Sequence, residues 1–460
     1  MLRCLVVGLL LFVPTIATAD EPVALGDRLE LFADGFLIDR QSGDVALRVH
    51  QPEPAEVALT ADEPWEGNTS GYFTLFEDGE RYRMIYRGWQ HDPDDIRHEI
   101  HPEVVCLAES DDGIHWQKPN LGIVEFAGST DNNIIWDGEG SHNFTPFKDT
   151  NPACSADARY KALGRTKGGL IYFKSPDGVH WEIAHDEPVI TDGAFDSQNL
   201  AFWDPYEKEY RAYWRIFTDG VRAIRTATSD DFVHWRPHAD LTYAEGTPKQ
   251  HLYTNAVQKY ARAPHLFVGF PTRFLPDEGQ RVEPIFMISR DGVDFVRYNE
   301  PVVPETAPAD RQGNRSNYMT WGMLALPERP DEISVYATEA YYGPVPGRVR
   351  RFVYRLDGFV SLRAGADGGE IVTRPITFSG SELVLNYQAD TGGGVSVEIQ
   401  DEAGEPIDGF TASDADRLEG DSVRGVVSWN GSSDLSKLAG KPIRLRIDAK
   451  DADIYSLRFQ

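Results

Sequence analysis

Apolar and polar residues alternate over short stretches along most of this chain, and turn-forming residues separate the stretches. Residues 81–88 alternate with period two, and residues 383–387 and 395–400 repeat the pattern near the C-terminus. A period of two places every second side chain on the same face of a β-strand. No long stretch has the period of an α-helix. The pattern therefore predicts an all-β protein built from many short strands.

A short phrase recurs along the chain: Ser-x-Asp, then glycine or phenylalanine, then an aromatic residue three positions later. Its aspartates are Asp112, Asp177, Asp231, Asp291 and, in a degenerate fifth copy, Asp357, at successive steps of 65, 54, 60 and 66 residues. A recurring period of this size indicates an array of supersecondary units. With short strands, five such units predict a five-bladed β-propeller of four-stranded blades, which gathers one loop from each blade around an axial funnel.

The repeated phrase is predicted to be scaffold rather than functional site. Aspartate accepts hydrogen bonds from nearby backbone N–H groups in a tight turn, and glycine adopts the positive φ that such turns require. The aromatic residue is expected to pack between neighbouring sheets. Since the same chemistry recurs in every blade, we do not count His115, His180 and His234 as ligands.

Four segments are predicted along the chain. Residues 1–19 have the features of a signal peptide: Arg3, an apolar run over residues 5–13, and Ala-Thr-Ala before Asp20. Residues 20–62 are assigned to an N-terminal arm, 63–363 to the propeller, and 364–460 to a C-terminal β-sandwich with Gly-rich turns. The signal peptide predicts a secreted or periplasmic protein.

The charge of the chain limits the partners that we expect. A formal net charge of −28 disfavours nucleic acid and anionic membranes. It leaves room for an anionic sugar that a local arginine cluster binds. Cys106 and Cys154 remain after the signal peptide and form either a disulfide or two free thiols. The oligomeric state is not fixed by the sequence.

Binding chemistry is expected where the blades differ, at the starts of the innermost strands, because these converge on the funnel. The positions are rich in amides, imidazoles and aromatic rings, which suit the hydroxyl groups and the apolar face of a sugar. The predicted substrate-binding residues are Arg87, His142, Asn143, Gln198, Asn199, His251, Tyr253, Asn255, Asn314, Arg315 and Asn317. The alternative is that these groups bond one another and axial water as part of the propeller core.

Three carboxyl groups are candidates for catalysis. Glycoside hydrolysis uses two carboxyl groups that flank one bond, one protonated and one ionised. Asp196 is predicted to be the nucleophile or base, and Glu66 or Glu339 the proton donor. Glu339 interrupts an apolar and aromatic strand, so it is either catalytic or paired with Arg348 or Arg350.

No metal ion or cofactor is predicted from these residues. His98 and His101 have a spacing that metal ligands use, but a single pair of histidines is weak evidence. The sequence leaves open whether a calcium ion lies on the propeller axis.

Several motifs resemble those of a known group of proteins. Asp-Gly-x-His-Trp-x-Lys-Pro (112–119), Gly-Ala-Phe-Asp-Ser-Gln-Asn (193–199), His-Leu-Tyr-Thr-Asn (251–255) and Arg-Ala-Pro-His (262–265) are similar to segments of secreted bacterial proteins described as glycoside hydrolases of the family 32 and family 43 type. The resemblance covers nearly the whole mature chain. It implies a five-bladed propeller, a C-terminal sandwich as in family 32, and polysaccharide substrates. The family 32 opening phrase Trp-Met-Asn-Asp-Pro-Asn-Gly is absent, so fructosidase activity is not carried over.

We therefore expect a secreted glycoside hydrolase that cleaves a polysaccharide or oligosaccharide with two carboxyl residues in the axial funnel. A non-catalytic glycan-binding propeller is the first alternative, and it requires amides and aromatic rings but no paired carboxyl groups. A sialidase, or a lyase that uses His251 as a base on a uronic acid, is the second. The sugar, the linkage and the stereochemical course stay open.

Overall fold

The computed structural model describes residues 21–95, 97–303, 306–307 and 316–460. The predicted signal peptide (residues 1–19) and two predicted site residues, Asn314 and Arg315, lie outside the described residues. The described chain is nearly all β, as predicted; its two helices are single 3-10 turns, Ala156–Ala158 and Pro276–Glu278. In this part of the chain no helix has the length and apolarity of a membrane span.

Thirty strands follow one another along the described chain. The N-terminal strands are β1 (Val23–Gly26), β2 (Glu30–Leu31), β3 (Ile38–Val49) and β4 (Glu53–Thr60). The next twelve are β5 (Gly71–Asp78), β6 (Arg81–Gly88), β7 (Val104–Ser110), β8 (Ile134–Trp136), β9 (Gly140–Lys148), β10 (Tyr160–Arg165), β11 (Leu170–Ser175), β12 (Glu182–Ile183), β13 (Leu200–Asp204), β14 (Glu209–Thr218), β15 (Val221–Ser229) and β16 (Ala239–Asp240). The remaining propeller strands are β17 (Thr242–Tyr243), β18 (His251–Leu252), β19 (Gln258–Tyr260), β20 (Ala263–Gly269), β21 (Thr272–Leu275), β22 (Arg281–Ser289), β23 (Asp294–Pro301), β24 (Glu332–Glu339) and β25 (Arg348–Arg355). The C-terminal strands are β26 (Val360–Thr373), β27 (Ile376–Phe378), β28 (Leu383–Asp401), β29 (Asp421–Val426) and β30 (Ile443–Phe459).

The propeller is a ring of sheets that follow one another in chain order. Strands β5–β8, β9–β12 and β13–β16 form three four-stranded sheets, and β17–β23 form a seven-stranded one. The last sheet contains only β24, β25 and β4. The ring therefore has four complete blades, not the five that were predicted, and a three-stranded sheet at the fifth position. There the innermost strand is reduced to isolated bridges from Met319 to Ala337 and from Leu324 to Ser334.

A strand from the N-terminal side completes the last sheet. Strand β4 pairs antiparallel with β25, from Arg348 opposite Thr60 to Val353 opposite Glu53. The segment assigned above to an arm, residues 20–62, is thus divided. Its last strand belongs to the propeller, and β1, β2 and β3 pair with C-terminal strands.

The C-terminal unit is a β-sandwich, as predicted, built on eight strands of one continuous sheet. Its long strands β26 and β28 shift register between Ala364 and Gly369 and between Ala389 and Gly394. Leu362 and Ile371, which lie on either side of the first shift, belong to the same hydrophobic core. The long strands therefore bend at these glycine-rich positions and contribute both of their halves to one core.

The repeated phrase forms the same turn in successive blades. In the third copy, Asp231 Oδ1 accepts the backbone N–H groups of Val233 and His234 at 2.9 and 2.8 Å, and Asp231 Oδ2 lies 2.7 Å from His234 Nδ1. Trp235 Nε1 donates to the carbonyl of Phe232 at 3.1 Å. The copies at residues 110–116 and 175–181 repeat these contacts. Phe232 adopts a φ of 67°, where those two copies have glycine. The structural interpretation of the phrase is confirmed.

These turns also join neighbouring blades. Tyr213 of β14 donates its hydroxyl proton to the carbonyl of Gly292 at 2.9 Å, and Tyr336 of β24 donates to the carbonyl of Gly113. The turns at Gly113 and Gly292 therefore each accept a buried hydrogen bond from the blade before them in the ring. This contact fixes the relative position of adjacent sheets.

We expect Asp231→Ala to lower the free energy of unfolding by about 1–3 kcal/mol, because two backbone N–H groups lose an ionised acceptor. Chemical denaturation of the purified protein measures this change. Asp230→Ala is the matched control, since Asp230 is the exposed neighbour in the same turn. Equal stability of the two variants would contradict a structural role for the repeated aspartate.

Candidate active site at the mouth of the propeller

The loop before β13 presents Asp196 at one end of the propeller axis. The side-chain amide of buried Asn143, from blade two, donates to the carbonyls of Phe195 and Ser197, the latter at 2.6 Å. Asn199 donates to the same two carbonyls at 2.8 Å each. Because the carbonyls on both sides of Asp196 are held, the carboxylate is fixed while its side chain remains 52% exposed.

His142 connects Asp196 to a second carboxylate. Its Nε2 lies 2.9 Å from Asp196 Oδ1, and its Nδ1 lies 2.6 Å from Glu103 Oε1. The hydrogen bond from His142 lowers the pKa of Asp196 to about 2, against the opposing effect of burial. Burial alone would lower the pKa of His142, but its bonds to Asp196 and Glu103 raise it above the ordinary value. Asp196 is therefore ionised at neutral pH, and His142 is biased toward the protonated form.

Arg87 lies beneath this network and holds the surrounding aromatic rings. Its side chain is only 2% exposed. It donates to the carbonyl of Thr69 at 2.9 Å and to the hydroxyl of Tyr341 at 3.0 Å. Its guanidinium also lies 4.7 Å from the ring centre of Tyr72 and 4.6 Å from that of Trp89. Predicted to bind substrate, Arg87 is instead a positioning residue, because the rings cover it.

Three of the twelve non-glycine residues with positive φ in the described chain lie around the same rings. Tyr72, Ala340 and Tyr342 have φ values of 54°, 62° and 59°, although none of them is glycine. Tyr72 lies where β5 shifts register against β6, and its ring centre is 5.9 Å from that of His142. Such conformations cost about 1–3 kcal/mol each and persist where the surrounding structure enforces them, often at functional sites.

The aromatic residues close the axis below Asp196. A cavity of about 20 Å³, lined in part by Tyr72, Tyr253 and Tyr341, has room for about one water molecule. Gln198 crosses its floor and donates to the carbonyl of Phe73 at 3.1 Å and to Thr74 Oγ1 at 3.2 Å. On the Asp196 side of the axis, a ligand larger than water would therefore lie above the tyrosine rings, at the level of Asp196.

Two arginines from blade three lie over Tyr253. The guanidinium carbons of Arg215 and Arg222 are 5.2 and 5.1 Å from its ring centre. Arg215 donates to the carbonyl of Ala194 at 3.0 Å, and its Nη2 lies 3.9 Å from Asp196 Oδ2. Tyr253, predicted to bind substrate, thus lies beside these two arginines on the Asp196 side of the site.

His251, predicted to contact substrate, lies at the edge of this group. Its Nδ1 accepts the backbone N–H of Arg222 at 3.1 Å. Burial and the nearby Arg222 lower the pKa of His251. The lone pair on Nδ1 is therefore occupied and the other ring nitrogen carries the proton, which removes the base that the lyase hypothesis required.

The predicted sugar-binding amides belong to the scaffold. Asn143 and Asn199 hold the Asp196 loop, and Gln198 spans the axis. Asn255 donates to the carbonyl of Gln198 at 3.3 Å, and Asn317 donates to that of Thr338 at 3.2 Å. All five side chains are buried, so the prediction that they contact substrate is corrected. Buried amides in a propeller core must satisfy their own N–H groups and those of the backbone.

Glu66 is buried away from the mouth. Lys118 Nζ donates to its Oε2 at 2.6 Å, and the hydroxyl of Tyr86 donates to its Oε1. Burial raises the pKa of Glu66 despite these partners, but its side chain is 0% exposed. A carboxyl group without access to substrate cannot transfer a proton to it. The assignment of Glu66 as proton donor is therefore withdrawn.

Glu339 is also structural, through the partners that the sequence suggested. Arg348 Nε and Arg350 Nε donate to it at 2.8 and 2.7 Å, and Thr306 donates at 2.7 Å. Although burial opposes ionisation, these donors lower the pKa of Glu339. Both of its oxygens are occupied, so its assignment as proton donor is also withdrawn.

Sequence reasoning missed Glu103, Arg215 and Arg222. Glu103 lies outside the blade openings, on the loop that precedes β7. It is not part of the repeated phrase, so no feature of the sequence was a reason to select it. Arg215 carried a signal, because it interrupts an apolar and aromatic run in β14 and is 6% exposed at its side chain. A charge in such a run needs a partner or a function.

The described residues contain no group of three or more histidine, cysteine, aspartate and glutamate side chains arranged to hold a metal ion. Cys106 and Cys154 are both free thiols, the first buried and the second partly exposed.

The fold resembles solved glycoside hydrolases. No protein-family model and no curated protein matches the chain in sequence. A family 43 arabinoxylan arabinofuranohydrolase from Bacillus subtilis in complex with cellotetraose aligns over 89% of this chain and 99% of its own, with 9% identity and a TM-score of 0.43. An endo-arabinase from Bacteroides thetaiotaomicron aligns over 66% and 99%, with 8% identity and a TM-score of 0.40. A glycosyl hydrolase from Bacteroides ovatus aligns over 67% and 94%, with 14% identity and a TM-score of 0.41. These neighbours share a propeller arrangement of sheets.

We expect Glu339→Gln to lower the free energy of unfolding by about 2–3 kcal/mol at neutral pH, because two partly buried guanidinium groups lose their carboxylate. The lowered pKa means that this stabilisation is present above the ordinary pKa of 4.5 and is lost as the pH falls through the native value. The stability difference between wild type and variant should therefore shrink below about pH 4.5.

Glu332→Gln is the control for this experiment, because Glu332 lies on the same strand in a surface pair with Arg329. We expect it to change stability by less than about 1 kcal/mol at any pH. A Glu339→Gln variant as stable as this control would show that the buried ion pair does not support the fold.

Proposed function

We propose that this protein is an exported carbohydrate-active enzyme of the glycoside hydrolase type, with Asp196 as its ionised catalytic carboxylate. The observation that carries the proposal is the way Asp196 is held. Two buried amides fix its backbone, His142 keeps it charged, and its side chain is open to ligand. The proposal that the chain is exported is based on the signal-peptide features of residues 1–19.

Glu103 binds the opposite nitrogen of the imidazole that holds Asp196. Because the imidazole fills the space between the two carboxyl groups, they do not flank a glycosidic bond as a pair separated by substrate and water. We assign Asp196 as the base that activates water. His142, whose bonds to Asp196 and Glu103 raise its pKa, is the proton donor of the proposed mechanism, and Glu103 orients it.

The mouth offers a sugar both of the surfaces that it needs. The rings of Tyr72, Tyr253 and Tyr341 provide apolar faces against which sugar C–H groups pack. Asp196 and His142 provide the hydrogen-bonding edge. Because the axis is closed below the rings, the sugar binds across the mouth and not along the channel, which places its glycosidic bond at the level of Asp196.

Asp196→Asn tests the proposal, with purified protein and a panel of plant and algal glycans. We expect wild type to release reducing ends from at least one glycan, and the variant to lose this activity by about 10²–10⁴-fold, as for loss of a general base. Asp192→Asn is the matched control, because Asp192 lies four residues earlier, exposed and paired with Arg225.

Full activity of Asp196→Asn on a glycan that wild type cleaves would exclude Asp196 as the catalytic carboxylate. If wild type binds a glycan but cleaves none of the panel, and Asp196→Asn binds it equally well, the protein is instead the non-catalytic glycan-binding propeller.

The pH profile tests the role of His142 separately. If its hydrogen bond is removed in His142→Ala, the pKa of Asp196 should rise from about 2 toward its ordinary value of 3.8. Since the base must be ionised, the acidic limb of kcat/KM should then move to higher pH. His142→Gln retains an N–H donor and should keep the limb near its wild-type position. Identical acidic limbs in wild type and His142→Ala would show that His142 does not control Asp196.

A further inference from the structure

Arg215 and Arg222 form a pair of positive charges on one face of blade three. Strands β14 and β15 pair antiparallel, with Arg215 opposite Ile224 and Phe217 opposite Arg222, so both arginines project from the same face of the sheet. Both guanidinium groups lie over the ring of Tyr253, at 5.2 and 5.1 Å from its centre. Like charges held this close repel each other unless an anion lies between them.

Neither arginine has the partner that its burial demands. The side chain of Arg215 is 6% exposed, and its one carboxylate neighbour is Asp196, at 3.9 Å and outside hydrogen-bond distance. The N–H groups of Arg215 Nη1 and Arg222 Nε are buried and donate to no hydrogen-bond acceptor among the described residues. Arg222 Nη1 lies 3.3 Å from His251 Nδ1, and no described carboxylate forms an ion pair with Arg222. The pair thus retains unused N–H donors.

The position of the pair beside Asp196 distinguishes it from other arginines of the chain. Buried arginine nitrogens without a hydrogen-bond partner also occur elsewhere in the described residues, for example Arg297 Nε. The chain has 73 acidic against 45 basic residues, and other arginines use them: Glu339 receives two arginines, and Arg290 is paired with both Glu30 and Asp34. At the mouth, beside an exposed catalytic candidate, an anionic ligand would supply the missing partner.

We propose that Arg215 and Arg222 bind the carboxylate of a uronic acid unit in a subsite beside Asp196. The proposal deepens the proposed function and depends on it only in taking the ligand to be a glycan. A guanidinium donates two parallel N–H bonds in a plane, a geometry that matches a planar carboxylate better than a tetrahedral sulfate. Tyr253 beneath the pair holds both guanidinium groups beside the subsite.

Asp196 and a bound carboxylate would approach Arg215 from different sides. Asp196 accepts from His142 through Oδ1, and its Oδ2 lies 3.9 Å from Arg215 Nη2. A carboxylate on the far side of Arg215, toward Arg222, would therefore face two guanidinium groups and the edge of Tyr253. This arrangement would place the uronate next to the sugar on which Asp196 acts.

Calorimetric binding of three oligosaccharides tests the subsite: a galacturonate, a glucuronate and a mannuronate oligomer, each beside its carboxyl-reduced neutral counterpart. We expect at least one uronate to bind at least about tenfold more tightly than its neutral form, the effect of one charge-assisted bidentate contact. Arg222→Gln should remove this preference. Arg374→Gln is the matched control, because Arg374 is a half-buried arginine over Phe36 in the sandwich.

Three results would overturn the subsite: no uronate preferred over its neutral form, an unchanged preference in Arg222→Gln, or a sulfated oligosaccharide that binds more tightly than every uronate. Asp196→Asn separates this inference from the proposed function, because that variant should lose cleavage but keep the uronate preference. Cleavage of neutral glycans without any uronate preference would contradict the subsite alone. A uronate preference in a protein that cleaves nothing would contradict the hydrolase alone.

Discussion

The carbonyl groups of Phe195 and Ser197 are the point on which the site depends. Each accepts an N–H from Asn143 and one from Asn199, which belong to different blades, so a shift of either blade breaks bonds that no water can replace in the buried core. Two neighbouring blades therefore contribute to the position of one carboxylate.

Burial divides the charged residues of the propeller into two classes. Glu66 and Glu339 have all of their hydrogen-bonding capacity filled by cations and hydroxyl groups of the chain itself. Asp196 keeps an exposed oxygen, and Arg215 and Arg222 keep free N–H donors. A buried charge without partners is costly. Hydrogen-bond donors and acceptors that the chain itself does not use therefore indicate a binding site better than the presence of a charged residue does.

The sequence predicted the features that depend on residues close together in the chain. It missed most of the contacts between residues that only the folded propeller brings together. The repeated turn followed from aspartate and glycine at fixed offsets, and Asp196 from its place at a blade opening. The fate of Glu66 depended on Lys118, which lies 52 residues away and gave no signal in the sequence. The pairing of Glu339 with Arg350, 11 residues away, was one of the alternatives that the sequence offered. Glu103 could not be found, because it reaches the site only through His142 of the next blade. The three-stranded last sheet could not be predicted either. The repeated phrase at residues 355–358 marks a turn of the last blade, and it carries no information about whether an inner strand forms there.

The pairing of β4 with β25 has a consequence for how the chain is made. The first described strands pair only with strands from the C-terminal part of the chain, in both the ring and the sandwich. The ring cannot be completed until β25 has been synthesised, nor the sandwich until β30, and neither unit can be cut out as a contiguous piece. The N-terminal strands therefore remain without their partners until late in translation.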